Sequence, residues 1–521
     1  MPIDYSLYLV TGRDLLPEGT TYLESLEESL RGGVTVVQIR EKHADTLEFL
    51  EIARQSKTLC DKYQVPLIIN DRVDIALAVS ADGVHLGQTD MPVRTARSLL
   101  PPNTIVGVSC NNLEHVQQAI KDCVDYVGIG AVWPTGTKQL SNPVIGVRGV
   151  GSLLAALDGT AIKAVAIGGI KSDNLLRTLH GSISPSGHKL DGIAVVSEIV
   201  ASREPYKISG TLRDTFAAWN AYTMEQEAKP PVAYTTENVK SGVADLMHVI
   251  RTTNPLVHQI TNVVVTNQSA NATLALGASP IMATAPEEME DLSRVSGALL
   301  INFGTIKDKE GMVLAGKYAN REKKPVVFDP VGVGATQFRR KTAAQLLNTW
   351  QASVIKGNAG ELGALAESQE VQAKGVDSVG IGFADPAKAV KDLAQRERCV
   401  VALTGKTDWV SDGTTVVRLD NGHELLGDIT GSGCMVGTCI ATFCATAWTR
   451  ASTENGPGML VRGDMLLGAV GGILALTIAA EAAAYRSDVR GSGTFLPALI
   501  DELYNLKPET VLEKARIQVT S

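Results

Sequence analysis

Residues Asp428 to Cys434 read D-I-T-G-S-G-C. Two glycines flank Ser432, so the backbone can approach a ligand closely. A small-residue segment, Met435 to Trp448, follows directly and has the pattern of a buried helix. The heptapeptide therefore ends at a helix N-terminus, where free N–H groups and the dipole attract an anion. Asp428 and Cys434 place ionisable groups at its two ends. Phosphoryl transfer needs such parts: a positively polarised backbone cradle and a group that receives a hydroxyl proton. The same residues also fit a tight turn before a core helix with an inert cysteine, so the rest of the chain has to decide.

Other polar residues recur in short clusters. In the first half these are Gln38 to Lys42 (Q-I-R-E-K), Asn70 to Arg72 (N-D-R), His85 to Asp90 (H-L-G-Q-T-D), Ser109, Pro134 to Lys138 (P-T-G-T-K), Gly168 with Gly169, and Val195 to Ser197 (V-V-S). Arg40, Lys42 and Lys138 can neutralise a polyanion such as a diphosphate. Asp71 and Asp90 are hard oxygen ligands, suited to one Mg²⁺ shared with phosphate oxygens. Gly168, Gly169 and Ser197 offer donors for a second phosphate. No nucleophile with an adjacent base stands out, so this set reads as one that ionises a leaving group. Surface ion pairs between Arg40 and Glu41, or Asp71 and Arg72, are the plainer alternative, and His85 reads as structural.

In the second half the clusters are Asp329-Pro330-Val331-Gly332, Gly357-Asn358-x-x-Glu361 and Thr404-Gly405-Lys406, with Arg339 after Gly332-Val333-Gly334. An Asn-x-x-Glu at a strand-to-helix junction is a helix cap, and it also puts a carboxylate near a bound Mg-nucleotide. Beside Asp329, Asp428 and the glycine loop, the Mg-ATP reading is favoured.

The elements that must position these residues follow from periodicity. Eight short β-branched runs begin the chain: Tyr5–Val10, Thr35–Arg40, Pro66–Asn70, Gly83–Gly87, Ile105–Ser109, Tyr126–Val132, Ala164–Gly169 and Gly192–Ser197. Helical segments such as Thr46–Tyr63 and Asn112–Lys121 lie between them. This is the pattern of a (βα)8 TIM barrel, whose active sites sit at the C-terminal strand ends. The polar clusters of the first half fall at those ends.

After helical Asn238–Arg251 come strand-like runs at Val257–Thr261, Pro280–Ala283, Leu299–Phe303, Pro325–Pro330, Ser353–Lys356 and Val400–Thr404. Asp408–Leu419 has the signature of a hairpin turning at Asp412-Gly413. These predict an αβα sandwich. The expected division is 1–228 for the barrel, 229–237 for a linker and 238–521 for the sandwich. The linker is marked by a charged run that meets Pro230 and Pro231. Two stretches carry no readable role: His180–Leu190, longer than a simple connection, and the glycine-rich Glu370–Lys388, which looks like an insertion.

With 521 residues the chain is too long for one core. Its 48 basic and 56 acidic residues give a formal charge of -8 with no long basic stripe, which argues against nucleic-acid binding. Seven cysteines without paired spacing read as reduced thiols, and a cytoplasmic protein is expected. Charged Asp4 and Arg13 around a short apolar run do not make a signal peptide. Ile429–Thr449 and Met465–Ala480 are expected to be buried helices and not membrane spans.

Residues 1 to about 225 resemble thiamine phosphate synthase. The likeness rests on Gln38-x-Arg40-Glu41-Lys42, Asn70-Asp71-Arg72, Gly83 to Gln88, Gly107-Val108-Ser109, Thr135-x-Thr137-Lys138, Ile167 to Ile170 and Val196-Ser197. It implies joining of hydroxymethylpyrimidine diphosphate to a thiazole phosphate with release of pyrophosphate. The diphosphate leaves first, and the thiazole nitrogen attacks the resulting cation. Gln38, Arg40, Lys42, Asn70, Ser109 and Lys138 would then hold the pyrimidine diphosphate. Thr135, Thr137, Gly169, Val196 and Ser197 would hold the thiazole phosphate, and Asp71 and Asp90 would bind Mg²⁺.

Residues Ala244 to Leu506 are similar to hydroxyethylthiazole kinase through Val257-His258-Gln259-Ile260-Thr261-Asn262, Gly277-Ala278-Ser279-Pro280-x-Met282 and Glu287-Glu288-Met289. The resemblance implies a ribokinase-like fold and ATP as co-substrate. Met282 and Gly431 would contact the thiazole, Arg339 and Thr404 the ATP, and Asp329 and Glu361 would lie near Mg²⁺. It also implies a trimer or a multiple such as a hexamer. Many ribokinase-like enzymes end the glycine loop with an aspartate base; this chain has Cys434 there, as the thiazole kinases do. A helix N-terminus lowers a thiol pKa from about 8.5, which allows a base role. The backbone cradle alone is the alternative source of the acceleration. The two implied reactions are consecutive, so a bifunctional enzyme of thiamine biosynthesis with small-molecule substrates is expected. One half kept as a non-catalytic ligand sensor or scaffold is the alternative.

Overall fold

Strands one to eight carry side chains that alternate between two apolar environments, and that alternation closes the first sheet. The strands are β1 (Leu7–Val10), β2 (Val36–Ile39), β3 (Leu67–Asn70), β4 (Gly83–Leu86), β5 (Ile105–Cys110), β6 (Tyr126–Ile129), β7 (Lys163–Ile167) and β8 (Gly192–Val195). Each pairs in parallel with the next, and β8 pairs back onto β1 to complete a barrel. Tyr8, Val36, Ile68, Ile105, Tyr126, Val165 and Ala194 fill the interior. Leu7, Val37, Leu67, Ile69, Val106 and Val127 instead pack with the surrounding helices. The side-chain period of two sends neighbours to opposite faces, so a one-residue slip would reverse them all. The eight expected strands are all present, most of them trimmed by a residue or two at their ends.

The computed structural model describes residues 3–137, 142–230, 232–368, 382–451 and 456–520, with the backbone of 372–374 and 377–379. It divides into two units, Met1–Ala228 and Lys229–Ser521. Helix Pro205–Ala228 ends the first. In the second, Thr235 and Asn238 form a reciprocal cap at the start of helix Thr236–Thr253. Just before it, the Tyr234 hydroxyl donates to Asp464 at 2.8 Å.

The second unit is built on a nine-stranded sheet. Its members are β9 (Leu256–Ile260), β10 (Ser279–Ile281), β11 (Ala298–Asn302), β12 (Val326–Asp329), β13 (Val354–Gly357), β16 (Val400–Leu403), β17 (Asp408–Ser411), β18 (Val416–Leu419) and β19 (Ile517–Thr520). They lie in the order β10-β9-β11-β12-β13-β16-β17-β18-β19, parallel as far as β16 and antiparallel beyond it. One face packs Val257, Leu300, Val327 and Val354 against helices Ser432–Arg450 and Met465–Ala484. The other packs Leu299, Ile301, Phe328 and Ile355 against Trp350 and Leu362.

Helix Met465–Ala484 is apolar and long enough to cross a membrane by composition, but 83% of its apolar window is buried in the fold. At Gly472 a Cβ would come within 2.3 Å of the Ile440 backbone nitrogen, so only glycine lets the two long helices pack this closely.

Three local results differ from, or add to, the expectations. Strand β19 was not foreseen; its four residues alternate between half-buried and exposed and give too weak a periodic signal alone. Within Glu370–Lys388, β14 (Gln372–Lys374) and β15 (Asp377–Val379) make an antiparallel ribbon, and residues from Pro386 onward open a helix. Several residues of that stretch lie outside the described residues. In His180–Leu190, Ser186 and His188 both hold Asp158. Asp158 lies before β7, at the N-terminal end of the barrel, where such contacts serve stability.

Candidate active sites

The barrel site starts from two tyrosines that its own alternation turns inward. Tyr8 and Tyr126 are both 1% exposed. Gln38 Nε2 donates to Tyr8 Oη at 2.9 Å, Tyr8 Oη lies 2.7 Å from Tyr126 Oη, and Tyr126 Oη lies 2.9 Å from His85 Nδ1. His85 Nε2 is then 2.9 Å from Ser109 Oγ. Gln38, Tyr8, Tyr126, His85 and Ser109 thus form one continuous hydrogen-bonded chain across the barrel. His85 thus orients Ser109, in keeping with its structural reading. Tyr126→Phe would remove the hydroxyl that links Tyr8 to His85. The expected result is a loss of about 1–3 kcal/mol in thermal unfolding of the barrel, with lower synthase activity that supplied substrates do not restore.

The charged residues at the mouth do not form the surface pairs that were the plainer alternative. Glu41 takes a bidentate contact from Arg13, Nε and Nη2 each at 3.0 Å. Arg72 pairs with Asp74. That leaves the Arg40 guanidinium without a carboxylate partner among the described residues, and gives Asp71 to Lys42. Asp71 also meets Asp90: burial and the Asp90 side chain push the Asp71 carboxyl up, against Lys42. Burial opposes the charge on Asp90, but Asp71 and the Gly87 N–H (2.7 Å) outweigh it and hold its pKa low. The two carboxyl side chains are thus in contact, with Lys42 beside them.

Two adjacent carboxylates fit a divalent cation. No cluster of three or more acidic, histidine or cysteine ligands occurs among the described residues. The remaining ligands of a Mg²⁺ would be phosphate oxygens and water.

Around the other strand ends, Thr135 Oγ1 lies 2.8 Å from Thr137 Oγ1. Gly169, at φ +65°, leaves no room for a side chain, since a Cβ would meet the Pro134 carbonyl at 2.5 Å. This brings the end of β7 against the Thr135–Thr137 turn. Val196 and Ser197 follow β8, and Asn70 ends β3. Lys138 lies outside the described residues.

In the second unit a ring of buried polar groups surrounds Cys434. Asn262 Nδ2 donates to Asn302 Oδ1 (3.0 Å) and to Cys434 Sγ (3.5 Å). Asn302 Nδ2 donates to Asp329 Oδ2 (2.8 Å), and Lys356 Nζ to Asp329 Oδ1 (3.3 Å). Both oxygens of Asp329 thus receive N–H donors, an arrangement that suits the carboxylate. Burial works against its charge and Lys356 supports it. For Lys356, burial is outweighed by Asp329 and Glu361, and the ammonium keeps its proton. Burial pushes the Cys434 thiol up, with Asp329 adding to it.

Glu361 is held by the N–H groups of Gly332 and Asn358, both at 2.9 Å, and caps its own helix with Asn358. The cap and the site are one structure here. Each Asp329 and Glu361 oxygen has one donor and keeps a second lone pair, so either carboxylate could still face a Mg²⁺ or its water. Arg339 donates to the carbonyls of Phe303, Val331 and Gly304, tying the ends of β11 and β12 together. Three contacts leave some of its five donors for a ligand. Thr404 follows β16 beside Gly357, Met282 follows β10, and Gly431, at φ +84°, caps helix Ser432–Arg450 without a side-chain hydrogen bond.

Sequence reasoning missed Tyr8, Tyr126, Asn302 and Lys356. The signal for Lys356 was present: it is a charged residue in V-I-K-G, a strand buried along its length.

Residues 7–199 match the family model described as thiamine monophosphate synthase, and residues 247–509 that of the hydroxyethylthiazole kinase family. The chain is 38% identical over 531 residues to the probable thiamine biosynthetic bifunctional enzyme of Schizosaccharomyces pombe, covering 99% of each. It is 37% identical over 545 residues to the thiamine biosynthetic bifunctional enzyme of Saccharomyces cerevisiae, covering 98% of this chain and 97% of the other. The hydroxyethylthiazole kinase of Thermoanaerobacter sp. is 41% identical over 277 residues, which are 53% of this chain and 99% of that protein. Two family matches in this order, with relatives alike from end to end, lead to one conclusion: the chain belongs to the family of bifunctional thiamine biosynthetic enzymes.

Proposed function

We propose that the second unit phosphorylates the hydroxyethyl group of a thiazole with ATP. The first unit then joins that thiazole phosphate to hydroxymethylpyrimidine diphosphate, giving thiamine phosphate and pyrophosphate. The observation that carries this reading is the likeness to both yeast bifunctional enzymes over almost the whole chain. It is supported by two separate anion-receiving sites at the C-terminal strand ends.

In the synthase, Gln38, Arg40, Lys42, Asn70, Ser109 and Lys138 bind the pyrimidine diphosphate. Thr135, Thr137, Gly169, Val196 and Ser197 bind the thiazole phosphate, and Asp71 with Asp90 hold Mg²⁺. The cation, when bound, draws charge from the departing pyrophosphate. Arg40 and Lys42 add positive charge to the same group, and Ser109 adds its hydroxyl.

In the kinase, Met282 and Gly431 contact the thiazole and Arg339 and Thr404 the nucleotide. Asp329 and Glu361 stand near Mg²⁺. The family is expected to work as a trimer or hexamer, in the cytoplasm.

Cys434 lies in the cradle with its thiol pushed up by burial, so at neutral pH it is mostly protonated before substrate binds. The cradle then supplies most of the acceleration. Cys434→Ser is expected to keep measurable kinase activity and Cys434→Asp to match or exceed the parent. Collapse of both with the fold intact would contradict this.

The test of the whole reading uses purified protein, Mg-ATP, hydroxyethylthiazole and hydroxymethylpyrimidine diphosphate, with thiamine phosphate scored by mass. Product should vanish without ATP and return with supplied thiazole phosphate. No product even with thiazole phosphate would remove the synthase assignment.

A further inference from the structure

Trp448 stands near the C-terminal end of helix Ser432–Arg450, and two cations lie over its ring. Lys324 Nζ is 3.7 Å from the ring centroid and the Arg462 guanidinium carbon 4.0 Å. Lys324 precedes β12, and Arg462 belongs to the connection into helix Met465–Ala484. Packing fixes both. Lys324 is 7% exposed. Gly463, next to Arg462, has φ +90°, and a Cβ there would come within 2.5 Å of the Ala447 carbonyl oxygen.

This charge has no full local balance. Among the described residues, neither the Lys324 nor the Arg462 side chain has an ion pair or a hydrogen-bond acceptor. Glu322 is the acid that acts on Lys324, and it already receives Arg321 at 3.2 Å. Burial and Arg462 push the Lys324 ammonium down to about 8. A third cation, Lys323, donates to the Gly456 carbonyl at 2.7 Å, and burial and Arg462 lower its pKa too. The helix C-terminus brings partial negative charge, which favours cations, but it gives none of these donors an acceptor. Trp448 Nε1 and Arg462 Nε are enclosed without a partner. Lys324 Nζ and the Arg462 Nη groups are not enclosed, and they are the donors a ligand would meet. Unpaired buried cations are costly, and an anion held between them would offset that cost.

We propose that Lys324 and Arg462, held on Trp448, bind the phosphate group of a small anion at a site separate from the kinase cradle. A phosphate carries more charge than a carboxylate and turns acceptors in more directions, which suits cations converging from two segments. The Trp448 ring serves the cations, so recognition falls to charge and hydrogen bonds. Lys324 comes before β12 and Asp329 ends it. Cys434 and Trp448 lie near opposite ends of one helix, about 20 Å apart at about 1.5 Å per residue. An anion bound here is therefore out of reach of the phosphoryl transfer, and the site does not depend on the kinase reading.

The test uses the full chain with Lys324→Met and Arg462→Gln. Labelled pyrophosphate and labelled inorganic phosphate are each dialysed to equilibrium against parent and variants. Binding at the catalytic sites is common to all three proteins, so the difference between them reports this site. The parent should hold one more anion per chain than either variant, or hold it about tenfold tighter. Preference for pyrophosphate would mark a diphosphate ligand and equal binding a monophosphate; either result supports the proposal. Without added anion, Lys324→Met should unfold no earlier than the parent, because it removes an unpaired buried charge, and both activities should be kept. Should Lys324→Met fail to fold, Arg462→Gln carries the comparison. Equal binding of both anions by parent and variants overturns the proposal. So does a changed oligomeric state in the variants with anion binding unchanged, which would make an acidic side chain of a second copy the counter-charge.

Discussion

Asp329→Ala is expected to destabilise the second unit by about 3–5 kcal/mol and to abolish phosphorylation of the thiazole alcohol. The carboxylate is fully buried, with Asn302 on one oxygen and Lys356 on the other. Removing it leaves an interior ammonium with Glu361 but without its hydrogen-bonded counter-ion, and an amide hydrogen with no acceptor. That is far costlier than loss of an exposed pair, where the median is about 0–1 kcal/mol. The comparison is made within one chain. Thermal unfolding should show the second unit shifted down, while synthase activity from supplied thiazole phosphate persists, because the barrel has its own core. An unfolding shift of less than about 1 kcal/mol would mean that Lys356 finds another counter-charge.

The second large effect is expected from Asp71→Asn with Asp90→Asn. Asp71 has φ +62°, a left-handed conformation that asparagine adopts as readily as aspartate. Both replacements keep size and shape. The fold should therefore survive. On the proposed reading, what is lost is the pair of charges that would hold Mg²⁺. A Lewis-acid contribution of about 3–4 kcal/mol corresponds to roughly 10²–10³ in rate. Synthase kcat/KM should fall by that factor and lose its dependence on added Mg²⁺, with kinase activity unchanged. Retention of full, Mg²⁺-dependent synthesis would exclude these two residues as the metal site.

Much of the architecture was legible in the chain alone. The eight barrel strands were readable because each is a short β-branched run between helical stretches, and the polar residues at their C-terminal ends broke that apolar pattern. The long helices Ser432–Arg450 and Met465–Ala484 were readable as buried because they are apolar on every side. The end strand β19 was not, since four half-exposed residues have no periodicity to detect.

For the sites, sequence determined which residue types stand at the strand ends, and hence that both halves handle phosphates. Tertiary structure decided which of them meet. Arg13 takes Glu41 and Asp74 takes Arg72, across spacings of 28 and two residues, which frees Arg40 and gives Asp71 to Lys42 and Asp90. Tyr8 and Tyr126 are 118 residues apart, and only closure of the barrel puts their hydroxyls in contact. Asn262 reaches Cys434 across 172 residues, and Lys356 reaches the glycine loop from another strand. Local patterning reports the face on which a residue lies, because that depends on a period of two or of 3.6. Which charges become partners depends on distances set by sheet order and packing, and no local period encodes those.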